Sequence, residues 1–394
     1  MVKGDWDVLG AAWPESRLRA VDLPDAEYVA LGLVVPVGFA DDPSHAPGAA
    51  HLCEHLALRA ARLDSPDSPV VSAVTLSHTT VFRTETVPAA ADEALRALLR
   101  IARPEPGFPG SGTFTQERSV VALELSMTAA SPMRSLGARV AGMLAPGTGL
   151  AREHDATPAS VTSLPEDVVV PFLHRHYQLS RAALVVAGKG ASDVLNTLAE
   201  EGDPGAAAFP SPARRAVPED RRARGRLPYW GVAVPLPAAG ERPAWYLSLV
   251  DAVLRPGGPV NRLARSLEVP QVGTAVLTSP LGGLAVSAHR PPPDPDHADR
   301  TASALRGGLA EEADAGRTAP ATLSHAARAH AAARSRLTDP AHARDALLAD
   351  VQGLGPTWDS WAEDMEPSAA AALLADLLRD AVPWQLAGGT ASAV

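Results

Sequence analysis

Pro47-Gly48-Ala49-Ala50-His51-Leu52-Cys53-Glu54-His55-Leu56 is the stretch on which the reading of this chain turns. Pro47 and Gly48 mark a turn, and the apolar positions that follow at i, i+3 and i+4 predict a helix over Ala49 to Arg62. At 3.6 residues per turn, positions 51, 54 and 55 share one face, so two imidazoles and a carboxylate converge. A single histidine on an apolar helix is usually a satisfied core residue. Two histidines and a glutamate on one face are costly to bury unpaired, and no partners stand nearby in the sequence. Neutral imidazole nitrogens suit Zn²⁺, which in hydrolytic sites takes three protein ligands and leaves a fourth position for water. Zinc is therefore the expected cofactor, with a third ligand from elsewhere.

The best source of that ligand is Phe114-Thr115-Gln116-Glu117-Arg118-Ser119-Val120-Val121-Ala122-Leu123-Glu124, a helical stretch begun by the Pro109-Gly110 turn. Glu117 and Glu124 lie two turns apart on one face, roughly 10 Å along the axis. Val120, Val121, Leu123 and Leu125 supply apolar surface. One carboxylate can bind metal while the other supports a ligand or the substrate.

The whole chain has 394 residues, a prior for two or three domains with cores of their own. Lys and Arg number 35 against 45 Asp and Glu, an acidic balance that argues against nucleic acid and anionic membranes as partners. The one cysteine, Cys53, excludes an intrachain disulfide framework and cysteine-based zinc sites. Met1 to Ala20 carries charges and Pro14 where an export signal needs an apolar run, and no segment approaches the roughly 18 apolar residues of a membrane span. A cytoplasmic location is expected.

Proline and arginine crowd together between Asp203 and Arg226, which reads as a solvated linker rather than an anion patch. It separates a first domain over residues 1–202 from a second over 227–394. Each half repeats one order. A strand comes first (Tyr28 to Gly38; Gly231 to Leu236), then a helix (Ala49 to Arg62; Ala244 to Leu254). Alternating strands follow (Val70 to Val87; Gly273 to Ala288), and helices close each half, Ala91 to Ala102 and Leu373 to Arg379 among them. No glycine-rich phosphate loop is present. The expected fold is α+β, two homologous domains, each a mostly antiparallel mixed sheet packed against helices.

The first half resembles the insulinase and pitrilysin-type metallopeptidase family, which includes mitochondrial processing peptidase. Val34 to Gly38, then Pro43, Gly48 and His51 to His55, follow the order of the family's strand and inverted zinc motif. Ser72-Ala73-Val74-Thr75 falls where the family has an Asn-Ala-x-Thr edge strand. Glu117 and Glu124 match its E-x(6)-E helix, and Phe172, Tyr177 and Ala183 to Gly188 match the segment that closes the half. The resemblance covers residues 28–200. It implies His51, His55 and Glu124 as zinc ligands, Glu54 as general base, Glu117 as a supporting carboxylate, and Ser72, Ala73, Val74 and Thr75 as the strand that pairs with an extended substrate. Ser72 stands where the family has Asn, one substrate hydrogen bond fewer. The activity implied is zinc-dependent endopeptidase cleavage of short or unfolded peptides.

The second half resembles the family more weakly, through Pro256-Gly257-Gly258-Pro259-Val260-Asn261-Arg262-Leu263 and Gly283-Leu284. Where members place an Arg and a Tyr for the substrate carbonyl, this chain has Glu268 and Thr274. Two-chain relatives divide these tasks, so the resemblance implies a heterodimer in which this chain bears the metal and a homologous subunit lacking it supplies Arg and Tyr. The alternative is a family member without turnover, a peptide-binding or scaffold subunit.

Among other residues, His174 and His176 flank Arg175 and read as surface groups, though an i, i+2 pair on a strand can bind metal. His325 and His330, five apart on an alanine-rich helix, read as solvated. Cys53 reads as a buried packing thiol. Trp358, Trp361 and Trp384 read as core or subunit-interface anchors.

Overall fold

The structure is a computed structural model that describes residues 17–61, 69–130, 136–144, 148–152, 155–196, 222–225, 229–238, 241–279, 282–290, 295–352, 354, 360–361 and 363–388. It forms two compact units, one of residues 1–127, 155–212 and 335–358, the other of 128–154, 213–334 and 359–394.

The first unit is built on the run Val29-Ala-Leu-Gly-Leu-Val-Val35, which is buried at every position and forms the middle strand, β2 (Val29–Val35). The other strands are β1 (Leu18–Asp22), β3 (Val71–Thr75), β4 (Thr80–Thr86) and β5 (Ala183–Gly188), in the order β1-β5-β2-β4-β3. β1 and β5 are parallel and all other pairs antiparallel, and β3 stands at the edge among the described strands. An apolar run without alternation signals a strand covered on both faces. Val29, Leu31, Leu33 and Val35 face a core filled from α1 (Ala49–Ala60), α2 (Ala91–Ile101) and α7 (Glu166–His176). Val34, with Val81, Val185 and Ala187, faces Ala343, Leu347 and Leu348 of α13 (Pro340–Val351). α13 comes from far down the chain, and its place here is absent from the sequence reading.

The second unit repeats the plan. Its strands, β6 (Arg222–Gly225), β7 (Tyr229–Leu236), β8 (Gln271–Ser279), β9 (Gly282–His289) and β10 (Val382–Gly388), run in the order β6-β10-β7-β9-β8. Again the first pair is parallel and the rest antiparallel. One face packs on α9 (Tyr246–Leu254), α10 (Pro259–Ser266), α11 (Pro295–Ala315), α12 (Ala319–Ser335) and α14 (Pro367–Arg379). The other meets α4 (Leu136–Leu144), whose Leu136, Val140 and Leu144 join Ala233, Val286 and Trp384. The α+β class with two like-built, mostly antiparallel mixed sheets is therefore observed.

The compact units are not divided at 1–202 and 227–394: residues 128–154 group with the second unit and 335–358 with the first. One expectation needs correction. Of the linker, residues 203–221 and 226 lie outside the described residues, but Arg222–Gly225 is strand β6, paired with β10. Local proline and charge density conceals an edge strand whose pairing partner arrives about 160 residues later. No helix among the described residues is long and apolar enough to cross a membrane.

Leu347 is fully buried between α13 and the sheet. Leu347→Ala should cost about 2–5 kcal/mol through lost transfer energy and the cavity left behind. Urea unfolding followed by circular dichroism measures this, and a loss below about 1 kcal/mol would contradict the docking of α13.

Candidate metal centre

α1 forms because Ala49 to Ala60 is free of β-branched residues, and its start is fixed by two devices. Gly48, the N-cap, holds a left-handed φ of 96°, which favours glycine. The buried Asp42 carboxylate then accepts from the amides of Gly48 at 2.6 Å and Ala50 at 2.7 Å, satisfying first-turn donors and complementing the helix dipole. Leu52, Cys53, Leu56 and Ala57 enter the core, leaving His51 and His55 half-buried with ring centroids 5.2 Å apart. Cys53 is fully buried, and burial pushes its thiol up in pKa, as a packing residue requires.

α3 (Ser111–Ala130) supplies the facing carboxylates. Phe114, Glu117 and Val121 are its buried positions, an i, i+3, i+7 stripe, and Glu124 lies one further turn along. Both glutamates reach His55 from opposite sides of its ring. Glu117 Oε2 stands 3.3 Å from Nδ1, and Glu124 Oε2 stands 3.4 Å from Nε2. Glu124 Oε2 is also 3.6 Å from His51 Nε2. One ligand atom each of His51, His55 and Glu124 therefore lies within 4.8 Å of the others. His51 beside Glu124 holds that carboxyl below its ordinary pKa, against the opposing effect of burial.

These residues fit a divalent ion. Two donors each about 2.1 Å from a tetrahedral centre are roughly 3.4 Å apart, close to the separations of Glu124 Oε2 from the two Nε2 atoms. The chemistry of the donors agrees. Imidazole nitrogen and carboxylate oxygen are ordinary ligands of Zn²⁺, and the Glu117 contact at Nδ1 leaves Nε2 as the His55 nitrogen turned toward Glu124. Arg59 Nε donates to Glu117 Oε1 at 2.7 Å, so the buried Glu117 is held between a guanidinium and the imidazole it orients. His51 has no equivalent, its buried Nδ1 being without a partner among the described residues.

Glu54 is buried on the same helix, and its Oε2 accepts from the Thr75 hydroxyl at 2.6 Å. Thr75 ends the edge strand β3, on which Ser72 is exposed and Ala73 and Val74 are half-buried. The structure thus brings together His51, His55, Glu117 and Glu124, and ties Glu54 to Thr75. Sequence reading missed Asp42, whose only sign is an acid shortly before a helix start, and Arg59, one turn beyond His55.

Other expectations change. His174 and His176 lie at the end of helix α7 and not on a strand. His174 Nε2 meets the Phe108 carbonyl at 2.7 Å, and the His176 ring packs on Phe172 at 4.4 Å. His330 is not solvated. It is buried, stacked on Trp361, with Nε2 2.9 Å from the Glu363 carbonyl, because α12 turns that face inward. His325 is half-buried, 3.8 Å from Asp251. Trp384 is a core residue of the second unit, and Trp358 lies outside the described residues. In that unit the Pro256 to Leu263 segment is a turn leading into α10, with Glu268 just past the helix and Thr274 on β8.

Residues 19–67 match the sequence model of the family described as Insulinase (Peptidase family M16). No curated protein matches the chain in sequence. Among solved structures, a protease from Helicobacter pylori superposes with a TM-score of 0.71 at 16% identity, covering 95% of this chain and 98% of that one. A peptidase M16 inactive domain from Pseudomonas fluorescens gives 0.74 at 14%, covering 98% and 99%. Pitrilysin gives 0.67 at 16% over 96% of this chain and 44% of its own, so this chain spans less than half of pitrilysin.

Burial, with Arg181 and Arg175 alongside, pushes His176 down to about 4. The unfolded chain takes up that proton near pH 6.5 and the folded chain does not, so stability falls as pH drops from about 6.5 to about 4. Discounted for screening of a partly exposed ring, the loss is about 1–2 kcal/mol. Urea unfolding between pH 7 and 4 should show His176→Phe losing that much less than the wild type; parallel curves would contradict the assignment.

Proposed function

We propose that this chain is an insulinase/pitrilysin-type peptidase, a zinc-dependent endopeptidase that cleaves short or unfolded peptides, a reading supported by the family-model match over residues 19–67 and by the shared fold. The observation that carries the reading is the convergence of His51 Nε2, His55 Nε2 and Glu124 Oε2, a donor set that suits one divalent cation. Those three residues would hold the ion, which when bound supplies a Lewis acid for the scissile carbonyl and acidifies water. The chain's own residues do the rest. Glu54 takes a proton from the attacking water at its carboxylate and returns it to the leaving amine. Glu117, held by Arg59, keeps the His55 ring in the tautomer that leaves Nε2 unprotonated. The edge strand β3, through Ser72, Ala73, Val74 and Thr75, offers backbone donors and acceptors to an extended peptide.

Glu268 and Thr274 can supply neither the cation nor the phenol expected at their positions. We therefore propose a heterodimer whose second, homologous subunit brings Arg and Tyr to the substrate carbonyl. The same two residues favour a second reading, a peptide-binding or scaffold subunit without turnover.

A quenched fluorescent peptide library separates the two. It is incubated with the chain alone and with the product of a neighbouring gene that encodes a relative lacking H-x-x-E-H. Cleavage is expected with the partner present, and Glu54→Gln should reduce it by about 10²–10⁴-fold. Cleavage by neither preparation supports the scaffold reading, and undiminished cleavage by Glu54→Gln refutes the role of Glu54.

A further inference from the structure

Thr75 belongs to the strand expected to receive substrate, yet its side chain is turned away from that task. Residues alternate across a strand. On β3, Val71 and Ala73 pack against the core that α1 fills, while Val74 packs on the opposite, α13 side. Thr75 follows Val71 and Ala73, is buried, and donates its hydroxyl to Glu54 Oε2 at 2.6 Å.

Its backbone is held in place as well. Thr75 pairs with Thr80 across the β3–β4 hairpin, and Leu76 donates to the Thr79 carbonyl at 2.8 Å. The next carbonyls accept from Phe39 at 3.0 Å and Ala40 at 2.7 Å. Gly38 permits that approach, because a Cβ there would lie 2.2 Å from the Leu76 carbonyl oxygen. A β-branched residue with restricted χ1 on a pinned backbone is a stiff hydrogen-bond donor.

We infer that Thr75 is a positioning residue that acts through Glu54. Its hydroxyl fixes the carboxylate by one oxygen, Oε2, and so sets the orientation of the whole group. The edge strand thereby serves two ends, its backbone receiving the peptide and its last side chain orienting the base. The inference rests on the proposed peptidase reading for its kinetic consequence, but the Thr75–Glu54 bond itself does not.

Two measurements on the full chain test it. The first is a thermal-unfolding cycle of wild type, Thr75→Val, Glu54→Ala and the double variant, which needs no activity. The midpoint loss of the double variant should fall short of the summed single losses by about 2–4 °C, and additive losses would overturn the inference. The second is peptide cleavage. Thr75→Val should lower kcat by about 10–100-fold with KM changed by less than about twofold, and Thr75→Ser should restore kcat to within about threefold. A raised KM with kcat intact would make Thr75 a substrate contact and overturn the inference. Should the wild type, with its partner, cleave nothing, the peptidase reading fails and the unfolding cycle alone decides for or against Thr75.

Discussion

Two imidazole nitrogens and a carboxylate oxygen aimed at one point make an arrangement that is unfavourable without positive charge between them. Glu117 engages Nδ1 of His55, and Arg59 holds Glu117 in place, which turns Nε2 toward Glu124. The residues around the centre serve to keep those acceptors where they are. Asp42 and Gly48 set the first turn of α1 and hence the angular position of His51 and His55. Phe114 and Val121 bury one stripe of α3, which turns Glu117 and Glu124 toward the same imidazole.

Rigidity of this kind rests on packing. In the first unit β2 is buried on both faces, with α1 on one and α13 on the other, so the platform under α1 is packed from both sides. Among the described residues the His/Glu cluster that could hold a metal is in the first unit, and the second unit builds the same sheet topology. Its buried polar residues are spent on internal bonds: Asn261 donates to Gln271 at 2.8 Å, and Gln271 donates to Ser287 at 3.0 Å. One architecture carries the His51, His55 and Glu124 cluster in one copy and the Asn261, Gln271 and Ser287 network in the other.

Much of the centre was legible because it depends on short-range periodicity. His51 and His55 one turn apart, and Glu117 and Glu124 two turns apart, occupy shared faces whatever the rest of the chain does. The strand Val29–Val35 was legible as an apolar run, and Thr80–Thr86 and Gly282–His289 lie within the alternating stretches Val70 to Val87 and Gly273 to Ala288. The docking of α13 and α4 was not, since it depends on contacts between residues hundreds of positions apart, although the unbroken burial of β2 carried a hint of it. Arg222–Gly225 was hidden for the same reason. His330 was misread because its helix is alanine-rich, and small residues on all sides give no indication of which face turns inward. Thr75 was assigned to substrate through the family resemblance of Ser72 to Thr75, whereas the face its hydroxyl occupies follows from where β3 meets α1.

The central claim is that this chain holds one divalent transition-metal ion between His51, His55 and Glu124. Elemental analysis of purified full-length protein, with a His51→Ala variant alongside, tests it most directly. The account predicts about one equivalent of zinc per chain in the wild type and most of it lost in the variant. Wild-type protein without stoichiometric metal after equilibration with zinc, or a variant that retains it in full, would contradict the account.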